Sequence, residues 1–292
     1  MKVYKDLVKY VLENGVLKKN RTGVDTISVF SYTYRVDLNE GYPLLTTKKM
    51  YFNSMLHELF WYLSGEENIK EFRKKSKIWD AWADEDGLLE TAYGRFWRRF
   101  PVPKQKLDGE VFVDETNKFT KREKNGQLVF DQIAYVIDTL KQMKKNPEIL
   151  NSRRLVVSAW HPANATISKL PPCHYTFAFC VIGNKLNCHL TQRSGDIALG
   201  IPFNLACYSL LTMMIAKECG YELGEFSHTI IDAHIYVNHI EGLKEQLKRE
   251  EYPLPNIEIS DKPFNELKFE DIKLIGYKSH PRSEERRVGK EC

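Results

Sequence analysis

Apolar residues recur at helical spacing at the start of the chain, where Val3, Leu7 and Val11 share a face with Tyr4, Val8 and Leu12 until Gly15 stops the run. Ile27 to Phe30 and Tyr32 to Leu38 then alternate with the period of strands. Ser54 to Leu63 reads as a helix ended by Gly65. Asp131 caps a third helix, carrying Ile133, Val136, Ile137, Leu140 and Met143 and ending before Asn146-Pro147. Two alternating runs, Tyr175 to Ile182 and Lys185 to Leu190, meet at Gly183-Asn184, a pair suited to a tight hairpin. Such a hairpin returns the residues after its second strand to the side of Cys173. A Gly-Ile-Pro-Phe turn leads on to Asn204, and Leu205 to Cys219 is apolar nearly all round up to Gly220, which describes a buried central helix. Past it, TIIDAHIYVNH puts His234 and Tyr236 on one side of a strand. A helix around Ile240 to Leu247 and strands near Asn256 to Ile259 and Lys268 to Ile275 complete the pattern. The mixture predicts an α+β fold in one domain, with large mixed or antiparallel sheet layers and flanking helices rather than a regular βαβ series.

Composition narrows the class. With 292 residues and 42% apolar content the chain can bury a substantial core. No run reaches the length needed to span a bilayer, and MKVYKDLVKY lacks the apolar centre of a signal peptide, so a cytoplasmic protein with no membrane partner is expected. The six cysteines lie at irregular spacings, which favours reduced thiols. Cys180, Cys188, Cys207 and Cys219 fall in apolar segments and read as small buried hydrophobes. Cys173-His174 and Cys188-His189 fit no standard zinc spacing, so no metal is expected. A net charge of +4 suits a phosphate-bearing molecule or weak nucleic-acid contact and decides nothing. Residues 103–129 turn polar between Gly-marked breaks and read as a surface insertion.

Several residues could carry chemistry. Cys173, between Pro172 and His174, is a candidate nucleophile if a guanidinium such as Arg193 favours its thiolate. Glu58 lies in MLHELFWYL with no cation three or four residues away, so its pKa should rise by desolvation unless it is paired or its helix edge meets solvent. The stretch from Ile78 to Pro101 holds Trp79, Trp82, Tyr93, Phe96, Trp97 and Phe100. Beside Arg98 and Arg99 these could stack bases, but aromatics are more usually core and pocket wall. Arg21 alone is a loop charge; with Arg153, Arg154 and Arg193 it makes an anion site better matched to a phosphate monoester than to a carboxylate. Asn204 presents a donor and an acceptor side by side, as needed to read the amide edge of a pyrimidine, and the His234-x-Tyr236 pair could hold sugar hydroxyls.

The chain resembles the thymidylate synthase family from about Tyr4 to His280. The matching stretches are KNRTG, PLLTTKK, HELFWYLSG, IWDAWADEDG, AYG, SRRLVVSAW, LPPCH, QRSGD, LGIPFN and DAHIYVNH, in that order. The resemblance implies an α/β sandwich-like homodimer, joined through a face of its large sheet, that converts dUMP to dTMP with 5,10-methylenetetrahydrofolate and needs no nucleic acid. Cys173 would add to C6 of dUMP, Asn204 would stabilise the enol oxygen, Glu58 would organise the water network, and Tyr93 would help remove the C5 proton. Phosphate would fall to Arg21, Arg193 and Ser194, with Arg153 and Arg154 reaching in from the partner subunit, and the 3′-hydroxyl to His234 and Tyr236. Trp79, Trp82, Leu170, Gly200 and Phe203 match the folate pocket, Asp196 the aspartate that bonds the pterin, and Lys48 a contact to the folate tail.

Three departures stand out. Glu90-Thr91 replaces the family's Gly-Pro ahead of Ala92-Tyr93, with Phe96 where a glutamine is usual; Tyr51 replaces a histidine near the folate; and RSEERRVGKEC occupies residues 282–292. That tail reads as the in-frame translation of a sequencing adapter, so residues 1–281 are expected to be the synthase domain, with the native terminus replaced and closure over folate weakened. The nearest rival activity, a pyrimidine-nucleotide hydroxymethylase, lets water capture the exocyclic methylene. Asn204 argues for uracil over cytosine, and Trp79 with Leu170 for reduction over hydration. A nucleic-acid-binding module would explain none of Cys173, Glu58, Asn204 or Asp196.

Overall fold

The computed structural model describes residues 1–20, 22–102, 116–148 and 152–282, so Arg21, most of the 282–292 tail and the first half of the 103–129 insertion lie outside the described residues. The chain forms two compact units, Met1–His57 with Cys173–Cys292, and Glu58–Pro172. It enters through α1 (Lys2–Asn14), β1 (Val16–Lys18), β2 (Thr26–Asp37) and α2 (Phe52–Ser64). The second unit carries α3 (Lys70–Arg73), α4 (Tyr93–Arg99), β3 (Phe100–Pro101), β4 (Thr120–Arg122), β5 (Leu128–Phe130), α5 (Gln132–Lys145), β6 (Val156–Ser158) and α6 (Pro162–Ile167). The chain then continues through β7 (His174–Ile182), β8 (Lys185–Asp196), α7 (Gly200–Cys219), β9 (Glu222–Tyr236), α8 (Ile240–Lys248), β10 (Asn256–Ile259) and β11 (Ile272–Ile275).

In the first unit the strands lie in the order β1-β2-β9-β8-β7. Every neighbouring pair is antiparallel except β8 and β9, which run parallel. A parallel pair requires a crossover, and α7 supplies it. The helix is apolar on all sides because it is covered on all sides: Leu205, Leu210, Leu211 and Ile215 are fully buried. Each such side chain contributes about 1.5–3 kcal/mol on leaving water. Gly220 ends the helix in the left-handed region, φ 73°, where a Cβ would be strained.

The mixed α+β architecture is the one expected, and five local expectations are corrected. Gly-Ile-Pro-Phe is not a turn but the first turn of α7, where Pro202 is tolerated because its missing N–H has no helical acceptor to reach. β8 does not end at Leu190 but runs to Asp196, so Arg193, Ser194 and Asp196 are strand residues. Only Ile272 to Ile275 of the last predicted strand pairs, with β10, while Phe269–Asp271 forms a 3₁₀ turn. Cys180 is exposed, because Phe177 and Phe179 fill the inner face of β7 and the two-residue period turns position 180 outward. Cys173, Cys188, Cys207 and Cys219 are buried. The two predicted N-terminal strands are one strand, β2, which passes through Ser31 at φ 56°.

In the second unit Asp131 caps α5, its carboxylate accepting from the Ala134 N–H at 2.9 Å while Arg98 reaches it at 3.0 Å. The described end of the insertion forms the β4–β5 hairpin, with Leu128 and Val129 buried. α4 lies so close to α2 that a Cβ on Gly94 would stand 2.2 Å from the Tyr62 carbonyl oxygen and 2.6 Å from its Cα. Both are backbone atoms and cannot swing aside. Gly94→Ala is therefore expected to destabilise the protein by about 1–3 kcal/mol, measured by denaturant unfolding; an unchanged midpoint would show that the helices have room to part.

Candidate active site

Cys173 begins the hairpin, almost fully buried, and its carbonyl accepts the Arg193 N–H at 2.8 Å. The next pair in register is His174 with Gln192. Strand pairing thus holds the thiol-bearing residue against the QRSGD segment, as the hairpin reading required. His174 is neutral: burial holds its pKa down at about 3, and its Nδ1 meets the Tyr208 hydroxyl at 2.6 Å.

Asn204, in the second turn of α7, does not stand alone. Its Oδ1 accepts from Gln192 Nε2 at 3.1 Å, and the same Nε2 donates to the Ser194 carbonyl at 2.9 Å. Gln192 Oε1 lies 3.0 Å from His228 Nε2, and His228 Nδ1 lies 2.8 Å from the Tyr34 hydroxyl. Tyr34 and His228 are directly paired across β2 and β9. Gln192, His228 and Tyr34 are all buried. None was singled out from the sequence, although two signals were present: Gln192 sits inside a matching motif, and His228 interrupts the apolar parity Phe226, Ile230 of its strand.

A second polar cluster gathers Asp196, Asp232, His234 and His239. Asp196 is the register partner of His234. Its Oδ1 accepts from the Ala198 and Leu199 N–H groups at 2.9 and 3.2 Å and lies 4.0 Å from His239 Nδ1. Burial raises the Asp196 pKa despite these partners. For His234, burial disfavours the cation, yet the Asp232 hydrogen bond and the charges of Asp196 and Asp232 outweigh it, so the net shift is upward. Asp232 moves the other way: burial opposes ionisation, but His234 and Lys18 bring its pKa down to about 2. Tyr236 is buried at 5.4 Å from the His234 ring, as the His-x-Tyr spacing implied. Lys48 is buried with its ammonium donating to the Ala198 carbonyl, so it turns inward rather than out. Gly200 opens α7 and Phe203 is half-buried on it.

The second unit holds its own group. Trp79 Nε1 donates to Glu58 Oε1 at 2.7 Å, which answers the question left by the helix: a ring N–H, rather than a cation on its own helix, partners the half-buried carboxylate. The Trp79 ring lies 6.0 Å from Tyr93. Trp79, Trp82 and Tyr93 are all buried, so these aromatics are core rather than a stacking surface. Arg98 is paired with Asp131, and Arg99 with Glu123 and Glu67, which removes the basic surface that base stacking would need. Thr91 is buried and donates to the Leu170 carbonyl at 2.7 Å, holding that residue in place. Arg153 and Arg154 are exposed, and Tyr51 also faces solvent. Among the described residues no His, Cys, Asp and Glu group has metal-site geometry, and no helix is long and apolar enough to cross a membrane.

An α+β chain whose buried Cys173 is hydrogen-bonded to the strand that also holds the Asn204 amide and carries the buried Asp196 has the parts of a transferase. The chain belongs to the thymidylate synthase family: the family model described as thymidylate synthase matches residues 2–287. It is also similar to a thymidylate synthase from Haloferax volcanii, 48% identical over 93% of this chain and 92% of that protein. It is accordingly an enzyme of the methyltransferase class to which that family belongs.

The charge arrangement around His234 gives a signed pH dependence. A raised folded-state pKa means that the contribution to stability is fully present below the unfolded value of about 6.5 and is lost as pH rises through the folded value. The melting temperature of the parent should therefore exceed that of His234→Gln most below about pH 6.5 and lose that margin as the pH rises above it. A margin constant through that rise would contradict the shift.

Proposed function

We propose that the enzyme converts dUMP to dTMP, with 5,10-methylenetetrahydrofolate as co-substrate and Cys173 as the nucleophile. The observation that carries the reading is the strand pairing of Cys173 with Arg193, one residue from a glutamine that fixes Asn204.

The Cys173 thiolate adds to C6 of the uracil, and the electron pair moves to C5 and the C4 oxygen. Asn204 Nδ2 donates to that oxygen while its Oδ1, with a lone pair left beyond the Gln192 bond, accepts from N3–H. When bound, the folate supplies the one-carbon unit to C5 and then a hydride, leaving as dihydrofolate. Tyr93 takes part in removing the C5 proton, and Glu58, held by Trp79, orders the water that carries protons. Expulsion of the Cys173 thiolate from C6 restores the ring.

For the co-substrate, Asp196 offers a suitable acceptor: both backbone N–H groups use Oδ1, so Oδ2 is left for a ring N–H. Trp79, Trp82, Leu170, Gly200 and Phe203 would supply apolar wall, and Trp79 with Leu170 would shield the exocyclic methylene from water. Lys48 would act through the Ala198 carbonyl that it holds. The dUMP phosphate would fall to Arg193 and Ser194 with Arg21, and the sugar hydroxyl to His234 and Tyr236.

Two arginines are read as serving the other subunit of a homodimer. Arg153 and Arg154 are exposed and make no ion pair among the described residues. The first unit exposes Phe30 (85%) and Ile182 (68%) on its strands, apolar area that a second copy would cover.

Cys173→Ser should lower dihydrofolate formation from dUMP and methylenetetrahydrofolate by about three orders of magnitude or more, with dTMP as the product by mass in the parent. Activity that survives loss of the thiol overturns the mechanism, and hydroxymethyl-dUMP as product would replace reduction with hydration. For the shared site, Cys173→Ser and Arg153→Glu/Arg154→Glu proteins, each inactive, should regain turnover when refolded as a mixture, because one site in a mixed dimer then has both the thiol and the arginines. A mixture as inactive as its components would place the arginines elsewhere.

A further inference from the structure

We propose that Tyr34 and His228, neither of which reaches the substrate, form with Gln192 a buried hydrogen-bond relay whose single polarity holds the Asn204 amide in the orientation that accepts uracil and rejects cytosine. The proposal rests on reading Asn204 as the group that meets the base, and it adds what decides which way that group faces.

The polarity follows from one atom that has no choice. The Ser194 carbonyl can only accept, so the Gln192 atom 2.9 Å from it must be the amide nitrogen. That nitrogen also faces Asn204 at 3.1 Å. If Asn204 were turned over, two N–H donors would meet there, so its oxygen must face Gln192. With the Gln192 nitrogen placed, its oxygen faces His228 Nε2 at 3.0 Å and requires a proton on that nitrogen. Burial keeps the His228 imidazole neutral, with a pKa of about 3, and nearby His174 and His189 act in the same direction. A neutral ring protonated at Nε2 has a bare lone pair at Nδ1. The Tyr34 hydroxyl, 2.8 Å away, donates to it, and burial keeps that hydroxyl protonated far above the ordinary tyrosine range.

The consequence reaches the base. Uracil presents an N3–H donor and an O4 acceptor, whereas cytosine presents an N3 acceptor and an N4–H donor. An asparagine free to flip would serve either base. Here a flip would set Asn204 Nδ2 against Gln192 Nε2, and reversing Gln192 to relieve it would set an oxygen against the Ser194 carbonyl and an N–H against His228. The Tyr34 donor weights His228 against moving its proton to Nδ1, because the buried hydroxyl would then have to accept and turn its own proton away from the ring; removing it lowers the cost of that reversal.

Two measurements test the relay. In the unmodified protein, ¹⁵N NMR of the histidines should show His228 protonated at Nε2 and bare at Nδ1; the opposite tautomer overturns the proposal without any variant having to fold. By calorimetry, Tyr34→Phe should lower the ratio of dUMP to dCMP affinity by about threefold to tenfold, the worth of one neutral hydrogen bond. Gln192→Glu, which removes both N–H donors, should lower it further. Leu211→Ala serves as a control for destabilisation, because a purely structural role for Tyr34 would leave the ratio as constant as that control does, and this result too would overturn the relay. A parent that failed to prefer dUMP would instead remove the reading of Asn204 on which the relay stands.

Discussion

The bond from Gln192 to the Ser194 carbonyl is the constraint on which the buried polar row of the first unit depends. A carbonyl cannot reverse its role, so it fixes the glutamine, and through it the asparagine on one side and the histidine on the other. A buried row of this kind is expensive unless every member is satisfied, because an unmet donor in the interior costs about 1–3 kcal/mol. The same cost that makes the row hard to build makes its arrangement unique.

The row exists because β8 and β9 run parallel and α7 crosses between them. Parallel strands need a long connection, and here that connection is a helix buried on every side. Its second turn carries Asn204 over β8, and further along the same helix Tyr208 meets His174, the residue after Cys173. The strand after Cys173 and the Asn204 amide are therefore fixed by one packing event. At the far end of β8, Asp196 pairs with His234, so a second polar cluster is held by the same two strands. In the other unit the Glu58–Trp79 bond and the close approach at Gly94 keep a carboxylate and an aromatic wall together.

Much of this was legible in the sequence, for identifiable reasons. Local signals located α1, α5, the Gly183-Asn184 hairpin and the buried α7, because periodicity and capping depend on neighbours in the chain. Motifs brought Cys173, Arg193 and Asn204 into one candidate site. Misreadings arose where local cues compete with packing. Gly-Ile-Pro-Phe looks like a turn, yet Pro202 is harmless in a first helical turn. Cys180 looks buried by its apolar neighbours, yet its parity on β7 turns it outward.

By itself the sequence determined the kinds of elements, the nucleophile candidate and the family, since each is written in residue type and short-range spacing. Tertiary structure alone decided the partners. Tyr34, Gln192 and His228 are far apart along the chain and meet only because β2, β8 and β9 are neighbours in one sheet. No spacing rule within a strand can show which buried tyrosine hydroxyl will reach which imidazole, or that an amide will be held one way round. Those outcomes depend on strand order and register, which hydrogen bonds between distant segments set only once the chain has folded.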